Sequence, residues 1–257
     1  MPEIEFFHLT DTGCVREENE DAVGSWPHED GLLFAVADGL GGYSGGQLAS
    51  ALALEVLARE MERAPASWPV QKRLRRAVQE ANLEIYTRAM TVPELRSMGT
   101  TLTASTVVGD ELVTAHVGDC RLYLLRAGTF TQLTKDHTRV QEQVEYGILS
   151  PEAARAHPQR HVLSRCLGHN VIPAIDLLRR PIQPGDVLVQ CSDGIHASLS
   201  ESEMLDVLLK DPAEAACRVL VERAREAGGQ DNLSIQIVSV LSCSPTTPAR
   251  PWWRFGS

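Results

Sequence analysis

The order of elements in this chain predicts an α+β fold, a four-layer αββα sandwich of two antiparallel sheets with a helix pair outside each. Three observations carry the expectation. Apolar periodicity reads as strand, helix pair, strands, helix pair, strand. The central strands are separated by two-residue turns, Gly109-Asp110 and Ala127-Gly128, which join antiparallel neighbours rather than the parallel strands of a βαβ chain. Finally, an Asp stands beside Gly or Asn at four predicted strand boundaries, in Ala37-Asp38-Gly39, Val117-Gly118-Asp119, Ser192-Asp193-Gly194 and Gln230-Asp231-Asn232.

Weak alternation from Ile4 to Leu9 gives a first strand, and the apolar run Leu32 to Ala37 reads as a buried one. From Ser44 to Arg63, Leu48, Leu52, Val56 and Leu57 share one helical face. From Pro69 to Met90, Leu74, Val78, Ala81 and Ile85 do the same. Strands follow at Thr100 to Val108, Glu111 to Val117, Arg121 to Arg126 and Phe130 to Leu133. The stretch from Asp136 to His169, rich in His, Arg and Gln, reads as a helical or irregular excursion over the sheet edge. Strands resume at Ile175 to Arg180 and Val187 to Cys191, helices at Glu201 to Leu209 and Pro212 to Ala227, and Leu233 to Leu241 closes the fold. The end of the chain, with Pro245, Pro248, Pro251, Trp252, Trp253 and Phe255, reads as an extended appendage.

The 257 residues, 43% of them hydrophobic, suffice for one large core or two modest ones, and one domain is expected. A formal charge of -10 argues against a nucleic-acid binder, since the one basic run, Lys72-Arg73-Leu74-Arg75-Arg76, lies in a helical pattern. The six cysteines show no CxxC or zinc-type spacing, the N-terminus lacks signal-peptide character, and no apolar stretch nears the roughly 20 residues of a membrane helix. A soluble, cytoplasmic protein with reduced thiols is expected.

One Asp-Gly pair is ordinarily a turn. Three of these four directly follow apolar runs that deliver carboxylates to one edge of a core, and hard divalent cations prefer such oxygen ligands. A clustered-metal hydrolase is the resulting hypothesis.

The ordered motifs resemble those of the metal-dependent protein phosphatases, the type 2C or PPM serine/threonine family, in its compact bacterial form. In order they are Arg16-Glu17-Glu18-Asn19-Glu20-Asp21, Asp38-Gly39-Leu40-Gly41-Gly42, Gly99-Thr100-Thr101 and His116-Val117-Gly118-Asp119-Cys120-Arg121. Leu133-Thr134-Lys135-Asp136-His137, Ser192-Asp193-Gly194 and Asp231-Asn232-Leu233-Ser234 complete the set. The resemblance implies a phosphatase domain over residues 1–242, a flap at about 137–169 and a tail at 243–257. It implies hydrolysis of phosphoserine and phosphothreonine in proteins, in opposition to a bacterial Ser/Thr kinase and by a monomeric enzyme.

Phosphomonoesters hydrolyse very slowly, and two cations roughly 3.5 to 4 Å apart supply both a hydroxide near neutral pH and charge neutralisation. By resemblance, two Mn²⁺ or Mg²⁺ ions are bridged by Asp38. Asp193 and Asp231 complete one site, the Gly39 carbonyl helps hold the other, Glu20 acts through water, and Asp21 and Asn232 support them. Asp119 with Asp193 would bind a third metal, with a backbone carbonyl near His161. Arg16 is the expected phosphate clamp, since its guanidinium forks onto two oxygens; the plainer alternative is a salt bridge to Glu17, Glu18 or Glu20. Leu40 stands where animal relatives often have a histidine assigned as general acid, so leaving-group protonation falls to a metal-bound water or another group. His137 reads as structural, and His157 and His161, separated by Pro158, do not read as side-chain metal ligands. A catalytically weak phospho-binding module on the same fold is the alternative function.

Overall fold

Period-two alternation along the strands sorts side chains into three apolar layers. The computed structural model describes residues 2–28, 31–41 and 45–243. The tail from Ser244, Gly42 and the Ser44 start of the first helix lie outside the described residues.

In chain order the first strands are β1 (Glu3–Asp11), β2 (Asp21–His28) and β3 (Gly31–Leu40), followed by α1 (Gly45–Arg63) and α2 (Val70–Thr91). Next come β4 (Gly99–Thr100), β5 (Leu102–Val108), β6 (Glu111–Val117), β7 (Arg121–Arg126) and β8 (Thr129–Gln132). Short helices α3 (Arg139–Glu145) and α4 (Pro151–Arg155) precede β9 (Asp176–Pro181) and β10 (Val187–Cys191). Helices α5 (Asp193–Ser198), α6 (Glu201–Leu208) and α7 (Ala213–Glu226) lead to β11 (Leu233–Ser242).

One sheet has the order β1-β11-β10-β7-β8 and the other β2-β3-β5-β6-β9, with β4 pairing the end of β3. The named strand pairs are all antiparallel, which is the αββα sandwich expected. Along β3, Leu33, Ala35 and Ala37 pack against Leu52, Val56 and Leu57 of α1 and Leu74, Val78 and Ile85 of α2. Leu32 and Phe34, one residue out of phase, meet Leu122, Leu188 and Val238 between the sheets. On the far side, Val189, Ile235 and Ile237 bury against Met204, Cys217 and Leu220.

The turn chemistry agrees. Ala127 and Gly128 have φ of 49° and 78°, the left-handed pair of a tight hairpin turn, and Gly109 has φ of 62°. A Ser200/Glu203 capping box starts α6. All six cysteines are free thiols. Among the described residues no helix is long and apolar enough to cross a membrane.

Three differences from the sequence reading have local causes. β2 was not assigned; it is an edge strand containing Gly24 and Pro27, which blur alternation and are tolerated where no second neighbour needs the missing donor. The strand expected from Thr100 to Val108 breaks at Thr101, whose N–H turns to the Asp38 carbonyl at 2.8 Å. The β1-β11-β10-β7-β8 sheet carries three helices instead of two, because the six-residue α5 begins at Asp193.

At the end of the sandwich where β7 and β10 close, Asp186 is 1% exposed. Arg126 forks onto it at 2.8 and 2.6 Å, and the Gln183 N–H donates to it at 2.8 Å. Asp186→Ala removes the acceptor of both donors, of which the partly exposed Arg126 keeps the Pro181 carbonyl, so the urea midpoint should fall by the equivalent of about 1–2 kcal/mol. An unchanged midpoint would show that the pair contributes nothing to stability.

Candidate active site

At one rim of the sandwich the inward row of β3 ends in Asp38, and the turns beside β7, β10 and β11 bring in Asp119, Asp193 and Asp231. Asp38 lies on the inner side of β3, and its backbone is fastened on both faces. Its N–H donates to Thr101 Oγ1 at 3.0 Å, and its carbonyl accepts Thr101 N–H and Thr100 Oγ1–H at 2.8 Å each. The Gly99-Thr100-Thr101 motif is thus the anchor of Asp38. Thr101 Oγ1 also lies 3.1 Å from the buried Cys120 thiol.

Gly39 is required by crowding. A Cβ there would lie 2.2 Å from the Gly46 carbonyl oxygen and 2.6 Å from that of Glu20, so the start of α1 and the Glu20 backbone pack directly onto it. Gly194 plays the same part beside Asp193, where a Cβ would lie 2.1 Å from the Asn232 carbonyl oxygen. These two Asp-Gly pairs are points of close backbone approach.

Asp21 stands opposite Asp38 in the β2–β3 register. Its Oδ2 accepts a 2.7 Å hydrogen bond from Ser192 Oγ, whose own oxygen accepts the Ser234 N–H. Asp119, 6% exposed, follows the left-handed Gly118 at φ 109°. The Asp119 carbonyl is 3.0 Å from His196 Nε2. Glu20 is partly buried, with the Gly46 backbone amide hydrogen-bonded to it at the start of α1.

Burial first, then mutual repulsion, governs the protons here. Loss of water holds Asp38 well above the ordinary carboxylate range, and Asp21, Asp193, Asp119 and Asp231 push it further. Asp119 is raised by burial and then by Asp193 and Asp136. Burial pushes Asp21 up to about 7 against the pull of Ser192 and Ser234. Burial also raises Glu20. Asp193 moves the other way, because the His161 hydrogen bond and the His196 and His161 charges outweigh its desolvation.

Two nitrogen-bearing side chains touch the cluster. Arg16 Nη2 donates to Asp231 Oδ2 at 2.8 Å, and His161 Nδ1 lies 3.4 Å from Asp193 Oδ2. The Arg16 pairing differs from the alternative expected, which named Glu17, Glu18 or Glu20. The His161 ring reaches the rim at Asp193, a contact the sequence reading did not expect. Among the described residues no three His, Cys, Asp or Glu side chains already enclose a common point, and Asp231 and Asp193 turn to Arg16 and His161. The donor set of clustered carboxylates with raised proton affinity fits hard divalent cations.

His137 is structural, as read. Its Nδ1 accepts the Gly118 N–H at 3.0 Å, which leaves Nε2–H to donate to Asp176 Oδ2 at 3.2 Å. Asp136 receives the Arg121 fork at 2.9 and 2.7 Å. A cleft of about 720 Å³ opens beside Asp119, between Val140, Pro151 and Arg160 on one wall and Ser198 and Glu201 on the other.

Comparison with known proteins places this arrangement. The protein phosphatase 2C family model matches residues 14–237. The serine/threonine protein phosphatase PstP of Mycobacterium tuberculosis is 40% identical over 234 residues, which are 90% of this chain and 44% of that protein. The chain therefore spans less than half the length of that relative. The serine/threonine phosphatase stp of Listeria welshimeri is 36% identical over 234 residues, 89% of this chain and 93% of that protein. The crystal structure of the catalytic domain of PstP in complex with two manganese ions has a TM-score of 0.82 at 36% identity, covering 93% of this chain and 99% of that one. The chain belongs to the protein phosphatase 2C family.

Proposed function

We propose that this chain is a metal-dependent protein serine/threonine phosphatase whose substrates are phosphoproteins made by a Ser/Thr kinase. The observation that carries the reading is the convergence of Asp38, Asp119, Asp193 and Asp231 on one rim with Arg16 beside them. A divalent cation pair held there supplies hydroxide near neutral pH and neutralises phosphoryl oxygens.

The chain's own residues do the rest. Asp38 would serve both cations, Asp193 and Asp231 would help hold one and the Gly39 carbonyl the other. Asp119 with Asp193 would hold a third, Glu20 would act through water, and Asp21 and Asn232 would keep neighbouring groups in place. Thr100 and Thr101 fix the Asp38 backbone so that its carboxylate does not retreat from repulsion. Arg16, half exposed beside Asp231, is placed to receive two phosphate oxygens. Carboxylates, clamp and flap (about 137–169, within a domain spanning 1–242) all belong to one chain, which supports a monomeric enzyme, and six free thiols accord with a reducing cytoplasm.

Asp38→Asn should lower Mn²⁺-dependent hydrolysis of a phosphothreonine peptide by about a hundredfold or more, with an unchanged circular dichroism spectrum. Peptides carrying phosphoserine, phosphothreonine and phosphotyrosine, compared with and without Mn²⁺, test the substrate class. Activity without metal, or no preference against phosphotyrosine, would sink the assignment.

Proton linkage gives a second prediction. Without cations the native Asp21 keeps a proton up to about pH 7 that the unfolded chain, with the ordinary value of 3.8, has released. Asp38 and Asp119 shift in the same direction. Burial lowers His116 and His196 to about 4 and lowers His137 and His8 as well, so below about pH 6.5 the unfolded chain gains protons at these rings that offset the carboxylates. Above that the rings are neutral in both states, the native state binds more protons at its carboxyls, and stability falls as pH rises. In EDTA the melting temperature should drop between about pH 6.5 and pH 8, and Mn²⁺ should restore it most at the upper end. A metal-free melting temperature that rises throughout this window would contradict the electrostatics.

A further inference from the structure

The loop of residues 12–20 joins β1 to β2, carries Arg16, and contains no helix or strand. A single buried amide holds both of its ends. Asn232 Nδ2 donates to the Thr12 carbonyl at 3.0 Å and to the Glu18 carbonyl at 2.9 Å, and its Oδ1 accepts the Glu20 N–H at 2.8 Å. The preceding residue, Asp231, accepts the Arg16 guanidinium on Oδ2 and the Asn232 N–H on Oδ1 at 2.9 Å. The dipeptide therefore grips the Arg16 side chain with one residue and its loop with the next.

We propose that Asn232 is the positioning residue of the phosphate clamp, setting where the Arg16 guanidinium stands relative to Asp231. The proposal rests on the phosphatase reading for its chemistry, while the loop restraint stands without it. Two donors and an acceptor diverge from one planar group, and no other side chain of that length supplies two donors together with an acceptor. Asp would offer no donor to the Thr12 and Glu18 carbonyls, and Ser or Ala would leave part of the set unpaired at a site only 5% exposed.

A double-variant cycle tests the coupling, read as competitive inhibition by inorganic phosphate of Mn²⁺-dependent aryl phosphate hydrolysis. Arg16→Ala and Asn232→Ala should each raise the phosphate inhibition constant by about tenfold. The double variant should be no weaker than Arg16→Ala alone, since one acts through the other. Multiplying effects, or a Mn²⁺ affinity by calorimetry that falls while phosphate inhibition is unchanged, would overturn the proposal. A second readout needs no activity. Trypsin cleavage after Arg16 in the folded, metal-free protein should be about tenfold faster in Asn232→Ala, or in Asn232→Ser if the Ala variant does not fold. An unchanged cleavage rate would show that Asn232 does not restrain the loop. If the wild-type protein hydrolyses no aryl phosphate, the phosphatase reading fails while the cleavage arm still decides the restraint.

Discussion

Like charges brought together out of water are the constraint on which this structure turns. Asp21, Asp38, Asp119 and Asp193 interact at one rim, with Asp231 and Glu20 beside them. Each repels the others, and a flexible chain would let them spread. What opposes the spreading is a separate anchor for four of them. The Asp38 backbone is held by β4 and the residue after it, Asp21 by Ser192, the Asp119 carbonyl by His196, and Asp231 by Arg16. These anchors come from different parts of the chain, so the rim is as stiff as the sandwich beneath it.

The interior of the sandwich prepares for that rim in steps. Reading the inward rows toward the site, β10 goes from Leu188 through Gln190 to Ser192, and β11 from Val240 and Val238 through Gln236 to Ser234. The adjacent strands repeat the change, with Val107, Ser105 and Thr103 on β5 and Leu112, Thr114 and His116 on β6. In the middle layer Gln190 Nε2 donates to Ser105 Oγ at 2.6 Å, and Ser105 lies 2.8 Å from Thr114 Oγ1. The environment passes from hydrocarbon through hydroxyl and amide to carboxylate. The amide nitrogens and hydroxyls of this layer are paired, while the buried Oε1 atoms of Gln190 and Gln236 have no protein partner among the described residues.

Strongly periodic segments were legible from composition alone. β6, β7 and β10 begin and end where the apolar runs and their turns predict. β2 was hidden, since Gly24 tucks under the Trp26 ring and contributes no alternation, and α5 is too short to show a helical period. The acidic positions were visible as residues, but their supports were not. Thr101 and Asp38 lie 63 positions apart, Asn232 and Glu20 212 apart, and nothing local marks either bond. The His161 contact was invisible for a similar reason, because it depends on how the excursion folds back over the rim.

That excursion is closed at its base. Thr138 bridges Leu163, the Arg139 N–H reaches the Val162 carbonyl at 2.9 Å, and the Ser164 N–H reaches the His137 carbonyl at 2.8 Å. Just beyond, Asn82 of α2 accepts the Gly168 N–H and donates to the carbonyls of Asn170 and Val171. Entry and exit are therefore stapled to each other and then to the body, so residues 139–162 form a side loop through which no strand of either sheet passes. Lengthening such a loop adds closure entropy only logarithmically. Provided the His161 contact to Asp193 is kept, evolution can rebuild its length and surface as an exchangeable module while the carboxylate rim below keeps its shape.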